Sequence, residues 1–182
     1  MKELSMHILD IATNSVRANA SKVTILVKED LINNEFIFEI EDNGKGIPEA
    51  MLKDIKNPFT TSRTLRNVGL GIPLLNDNCL LCGGYLKIES EVGVGTKLKS
   101  MMVYDHIDRP PMGDIASTMC GLISSNESIE IQYYHWYNDH CFDLATSELK
   151  DALDGVSLSE LSVMQWLRQF INENIDEIKK EI

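Results

Sequence analysis

The sequence predicts an α/β chain in which strand pairs alternate with amphipathic helices. Three observations predict it. Runs at 22–29, 35–41, 85–91 and 96–104 alternate apolar and polar residues, the period of half-buried strands. Segments at about 3–19 and from Gly69 to about Cys82 carry apolar residues at helical spacing or in a helical run. Turn residues (Asn33-Asn34, Gly83-Gly84 and Gly93-Val94-Gly95) fall between these segments.

In the first helix Leu4, Ile8, Ile11, Ala12 and Ser15 share one side. Asp10, Asn14 and Arg17 form a second, polar stripe, because steps of four and three residues return to one face. Residues 48–55 begin with Pro48, favourable in a first helical turn. Residues 56–68 are polar and read as a long loop. Asp105 to Met112 reads as a joint, since Asp108-Arg109-Pro110-Pro111 cannot continue a strand. The expected division is therefore 1–104 and a small α+β tail at 105–182. In the tail, 115–123 reads as a short helix, 128–136 and 140–146 as strands around Asn138-Asp139, and 147–153 as another helix. Ser157-Leu158-Ser159-Glu160 has the form of a capping box opening a helix with Leu161, Met164, Leu167, Ile171, Ile175 and Ile178 on one stripe. That stripe suits either the tail's own strands or a partner helix.

Composition narrows the class. The 182 residues, 43% apolar, suffice for one large domain or one domain with an appendage. A net charge of −11 argues against non-specific binding to nucleic acid or anionic membranes. No apolar run approaches the roughly 20 residues of a membrane span. Met1-Lys2-Glu3-Leu4-Ser5 lacks a signal-peptide core. The chain is read as cytoplasmic, with its four cysteines reduced.

The chemistry sits in a few short segments. Asp42-Asn43-Gly44-Lys45-Gly46-Ile47 ends a strand in a carboxylate and two glycines, which lets the backbone close on a ligand or simply makes a turn. On the first helix, Asn14 offers a hard oxygen suited to magnesium. Asp10, one turn away, could take a proton from water or a hydroxyl. A solvated helix face would use the same residues. Gly69-Leu70-Gly71 opening a helix exposes N–H groups to a phosphate, or is an ordinary helix start. Thr60-Thr61-Ser62-Arg63 before it adds hydroxyls and a cation.

Together, in this order, these pieces resemble the ATP-binding domain shared by DNA gyrase, heat-shock chaperone ATPases, histidine kinases and mismatch-repair MutL, the Bergerat or GHKL fold. Asp10 to Ala20 is similar to the N-box, most closely in its mismatch-repair form. Asp42 to Gly46 is similar to the adenine-binding glycine box. Pro58 to Arg63 with Gly69-Leu70-Gly71 resembles the lid and second glycine box, and Gly93-Val94-Gly95-Thr96 the last box. The resemblance covers about residues 1–104.

It implies a two-layer α+β sandwich: a mixed, mainly antiparallel sheet with helices on one face and ATP between helices and lid. It implies that Asp42 accepts the adenine amino proton, with Gly44, Gly46 and Ile47 beside the base and Thr96 supporting the contact. Asn14 would hold magnesium and Arg17 would lie near the phosphates. Gly69, Leu70 and Gly71 would bind phosphate through N–H groups, with Thr61 and Arg63 over it. Asp10 takes the place of the general base, usually glutamate. The ATP domain is expected to start at Met1, so the helical hairpin that carries a kinase's phosphoaccepting His is expected to be absent. The tail is short for an ATPase transducer domain. The reading is a magnesium-dependent, stand-alone kinase of the switch or anti-sigma kind, acting on a partner protein with slow ATPase activity. An ATP-gated interaction module is the alternative. ATP or ADP and a protein are the expected partners, nucleic acid and membrane are not, and a homodimer is allowed.

Other residues read as structural. His7 is expected to be partly exposed. Cys79 and Cys82 have a metal or redox spacing but end an apolar helix with no second pair. His135, His140 and Cys141 read as strand residues. Tyr133, Tyr134, Trp136, Tyr137 and Phe142 read as core, with any exposed subset a docking surface.

Overall fold

The computed structural model describes residues 2–56 and 70–180. The elements in order are α1 (Leu4–Arg17), β1 (Lys22–Asp30), β2 (Glu35–Asp42), α2 (Glu49–Leu52), α3 (Gly71–Leu81), β3 (Tyr85–Glu91) and β4 (Gly95–Val103). They continue with α4 (Ile115–Ser125), β5 (Glu130–Tyr137), β6 (His140–Ala145), α5 (Thr146–Leu153) and α6 (Leu161–Lys180).

The strands form one sheet in the order β3-β4-β2-β1-β5-β6. β1 and β5 pair in parallel and every other pair is antiparallel. The alternation in the sequence becomes two unlike faces. Val23, Ile25, Val27, Phe36, Phe38, Ile40, Leu98, Met102, Ile131 and Tyr133 are buried on the inner face. On the outer face Glu39 lies 3.0 Å from Lys99 and 3.4 Å from Lys97, which also lies 3.3 Å from Glu41. The helices supply the second layer of the core through Leu4, Ile8, Leu75, Met119, Ile123, Leu167 and Ile171. This is the expected α+β arrangement, a mixed, mainly antiparallel sheet with helices over one face.

The sheet continues across the joint at residues 105–112. The tail's strands are not a separate small sheet, because β5 pairs with β1 from Lys22↔Glu130 to Glu29↔Tyr137. The joint also holds the first helix. α1 lacks a side-chain cap. The Leu4 and Ser5 N–H groups instead donate to the carbonyls of Pro111 at 2.9 Å and Met112 at 2.8 Å, which satisfies two of its free donors.

Two local expectations change. Pro48 precedes α2, which is only Glu49–Leu52. The capping box does not form: Ser157 Oγ donates to Glu127, and the Ser159 N–H donates to Glu127 at 3.1 Å and to Ser157 Oγ at 3.1 Å. A carboxylate thirty residues upstream occupies that hydroxyl, and α6 starts at Leu161. α6 packs within the chain: Met164 accepts from the Cys120 thiol on α4, and Lys179 lies 2.7 Å from Glu29 on β1.

Candidate nucleotide-binding site

The inner ends of β2 and β4 and the last turns of α1 enclose a cleft of about 250 Å³. Ile11, Ala18, Ile40, Ile47, Ile72, Ile88 and Leu98 give it apolar walls; Asn14, Ser15, Asp42 and Thr96 give it polar points. Apolar walls with a few convergent polar groups are what a small-molecule pocket needs. A wider depression of about 440 Å³ lies beside it, lined by Lys22, Glu41, Glu89 and Lys97 among others.

Register puts Asp42 here. It ends β2 opposite Thr96 on β4 and Val23 on β1, so its side chain leaves the inner face toward α1. One carboxylate oxygen accepts the Ser15 hydroxyl at 2.6 Å and the other the Gly44 N–H at 2.9 Å. The carboxylate is thus fixed from two elements, and each oxygen keeps a lone pair for a donor in the cleft.

The glycine loop is pinned on both sides. The Lys45 N–H donates to the Ala18 carbonyl at 2.9 Å, and the Gly93 N–H donates to the Lys45 carbonyl at 2.9 Å. Gly46 has φ +72°, and a Cβ there would stand 2.1 Å from the Glu91 carbonyl oxygen. Only glycine fits. The Ile47 N–H donates to Ser90 Oγ at 2.8 Å, which lies 2.8 Å from both Thr96 Oγ1 and the Gly95 carbonyl. The Asp42 end of the cleft is therefore one hydrogen-bonded frame spanning α1, the loop and the β3–β4 hairpin.

The polar stripe of α1 behaves differently. Asn14 Oδ1 and Asp10 Oδ2 are buried and have no hydrogen-bond partner among the described residues. Buried polar atoms are normally satisfied; His7 Nδ1 and Ser100 Oγ are likewise without a partner among the described residues, but Asp10 and Asn14 lie one turn apart on the polar stripe and mark a place for something else to bind. Arg17 is exposed at the rim. Gly71 is buried at the start of α3, and Leu70 before it is exposed.

The structure therefore brings Asn14, Arg17, Asp42, Gly46, Ile47 and Thr96 to one cleft. Asp10 and Gly44 flank it on α1 and in the loop. Thr61, Arg63 and Gly69 lie outside the described residues. Sequence reasoning missed Ser15, Lys45, Ser90 and the apolar walls other than Ile47. Ser15 was legible only as a hydroxyl among apolar neighbours.

His7 is a correction. Expected to be partly exposed, it is fully buried, with Nε2 3.2 Å from Asn78 Nδ2 on α3. Burial holds it down at about 4, against the pull of the Gly71 backbone. Cys79 and Cys82 are buried thiols, and burial pushes Cys79 up to about 12. His135 is also buried, between Tyr133 and Glu29. Tyr133 and Phe142 are core, whereas Tyr134, Trp136 and Tyr137 are half-buried.

A family model described as histidine kinase-, DNA gyrase B- and HSP90-like ATPase matches residues 2–104. The chain belongs to this family. Similar proteins include sporulation kinase D of Bacillus subtilis, 33% identical over 91 residues, covering 50% of this chain and 18% of that protein. Sensor kinase CckA of Brucella abortus is 39% identical over 64 residues, covering 35% and 7%. Signal transduction histidine-protein kinase ArlS of Staphylococcus aureus is 35% identical over 91 residues, covering 47% and 20%. The chain thus spans a fifth or less of these relatives. Among solved structures, the Aquifex aeolicus MutL ATPase domain complexed with ADP is similar at TM-score 0.49 and 14% identity, covering 85% of this chain and 68% of that one. No helix among the described residues is long and apolar enough to cross a membrane.

Proposed function

We propose that the chain binds ATP with magnesium and transfers the γ-phosphoryl group to a side chain of a partner protein in the cytoplasm, with slow hydrolysis alongside. The observation that carries this reading is the pair of buried, unpartnered oxygens, Asp10 Oδ2 and Asn14 Oδ1, on the helix that also holds Asp42 through Ser15.

Asp42 accepts a hydrogen bond from the adenine amino group, and Ser15 and Gly44 keep its carboxylate aimed. Asn14 fits a magnesium ligand, being a neutral hard oxygen left free in a buried place. When bound, the ion supplies positive charge to the phosphates. The N–H groups at the start of α3, including Gly71, face a phosphate favourably. The family resemblance assigns Thr61, Arg63 and Gly69 to the same phosphates and places Arg17 near them. In the transfer, an acceptor oxygen or nitrogen forms a bond to the γ-phosphorus, the bond to the β–γ bridging oxygen breaks, and ADP leaves. Asp10 takes the acceptor's proton. Met6 and Leu9 on α1 and Leu70 and Leu74 beside the cleft are exposed large apolar residues, which suits a protein acceptor.

The test follows radiolabel from γ-labelled ATP. Asp10→Asn is expected to leave nucleotide affinity within about twofold and to lower turnover about 100-fold. Label on a partner protein supports transfer. Label found only as free phosphate leaves an ATPase, and label on neither leaves nucleotide sensing.

A further inference from the structure

His7 stands one turn before Asp10 and two turns before Asn14, on the inner side of α1. An aliphatic side chain would fill its buried space without desolvating two ring nitrogens, so packing alone gives no reason for an imidazole. The reason lies across the helix pair. The contact with Asn78 is the one side-chain hydrogen bond joining α1 to α3 among the described residues. Burial keeps the ring uncharged at neutral pH, so Nε2 accepts the Asn78 N–H. The Gly71 backbone acts on the ring against burial, while Nδ1 has no hydrogen-bond partner among the described residues. Gly71 and Asn78 lie two turns apart on α3, and the hydrogen bond of His7 goes to Asn78.

The buried side chains of α3 are Ile72, Pro73, Leu75 and Cys79. Apolar packing of this kind is non-directional and tolerates sliding. A hydrogen bond is directional and sets a register. Resting on the nucleotide-binding reading above, we propose that His7 is a positioning residue that fixes the N-terminus of α3 against α1, so that Gly71 and Asn14 meet one polyphosphate. The base end of the cleft does not depend on it, because Ser15 and Gly44 hold Asp42.

The consequence is selective for phosphate. Calorimetric titration of adenosine, ADP and ATP with magnesium would be compared in the wild type, His7→Leu, His7→Gln and Asn78→Ala. His7→Leu is expected to lower ATP affinity about tenfold relative to adenosine, the worth of one good hydrogen bond. His7→Gln, which keeps an acceptor near the Nε2 position, restores the ratio to within about threefold. Asn78→Ala, on the half-buried side of the pair, reproduces the His7→Leu pattern and carries the test if His7→Leu fails to fold. Equal losses for adenosine and ATP, or wild-type ratios in His7→Leu and Asn78→Ala, overturn the proposal. Adenosine bound without any gain from phosphates in the wild type also overturns it, while leaving the adenine pocket standing. No binding of any nucleoside by the wild type overturns the nucleotide reading itself.

Discussion

The inner face of the sheet has two polar ends, and they are built in opposite ways. At the nucleotide end, Asp42 keeps free lone pairs, and Asn14 Oδ1 and Asp10 Oδ2 have no partner among the described residues. At the far end, Glu29 accepts from His135 at 2.9 Å, from Lys179 at 2.7 Å and from Tyr104 at 3.2 Å, and His135 spends its other nitrogen on Tyr133 at 2.6 Å. The far end buries Glu29 beside His135, whereas Asp10 and Asp42 at the other end are half-buried. Three acceptor sites of Glu29 and both ring nitrogens of His135 are already engaged within the chain, so this cluster serves the fold by tying α6 to β1. The open cluster keeps bonds in reserve, and that is what a binding site requires.

The sharpest way to break this comparison is to damage each end and ask what is lost. Asp42→Asn places an amide donor where, on the proposed reading, the adenine amino group donates. Nucleotide affinity should fall by at least about 100-fold, read by calorimetry, with the melting temperature little changed. Glu29→Gln leaves Lys179 and His135 without their anion. Stability in urea should fall by about 3 kcal/mol while nucleotide affinity stays within about twofold. Reversal of these two outcomes would dissolve the distinction.

The pH dependence sharpens it further. His7 titrates at about 4 in the folded chain against an ordinary 6.5. The unfolded chain therefore binds that proton first as pH falls. Stability is full above 6.5 and declines toward 4, by on the order of 3 kcal/mol at the lower limit. His7→Gln should remove that slope. Glu29 acts lower: burial alone would push it up, but hydrogen bonds from His135 and Lys179 hold it down at about 2, so its contribution is present above 4.5 and lost as pH approaches 2. Urea unfolding at pH 7, 6, 5, 4 and 3 separates the two groups, with the His7 loss above pH 4 and most of the Glu29 loss below it. The smallest effect belongs to Ser15→Ala, which frees one Asp42 oxygen from its hydroxyl. Nucleotide affinity should drop about fivefold, measured by the same titration.

What could be read from the chain, and what could not, follows the range of the interactions. Asp42, Gly46 and the strand pattern were legible because two-residue alternation and a glycine at φ +72° are local demands. The burial of His7 was not, since its second wall is α3, some seventy residues onward. The parallel pairing of β1 with β5 joins segments about a hundred residues apart, and nothing in either strand's alternation names its neighbour. The capping box failed for a related reason: Glu127 competes for the Ser157 hydroxyl from outside the motif. Ser15 hid among apolar residues because its short hydrogen bond goes to a carboxylate on another element, twenty-seven residues onward.

The central claim is that the cleft between α1, β2 and β4 binds ATP through Asp42. Calorimetric titration of the wild-type chain and of Asp42→Asn with ADP and ATP, with and without magnesium, tests it most directly. The account predicts one site per chain in the wild type, tighter binding of ATP when magnesium is present, and no measurable heat in Asp42→Asn. Wild-type chain that binds neither nucleotide, or Asp42→Asn that binds both as well as wild type, would contradict it.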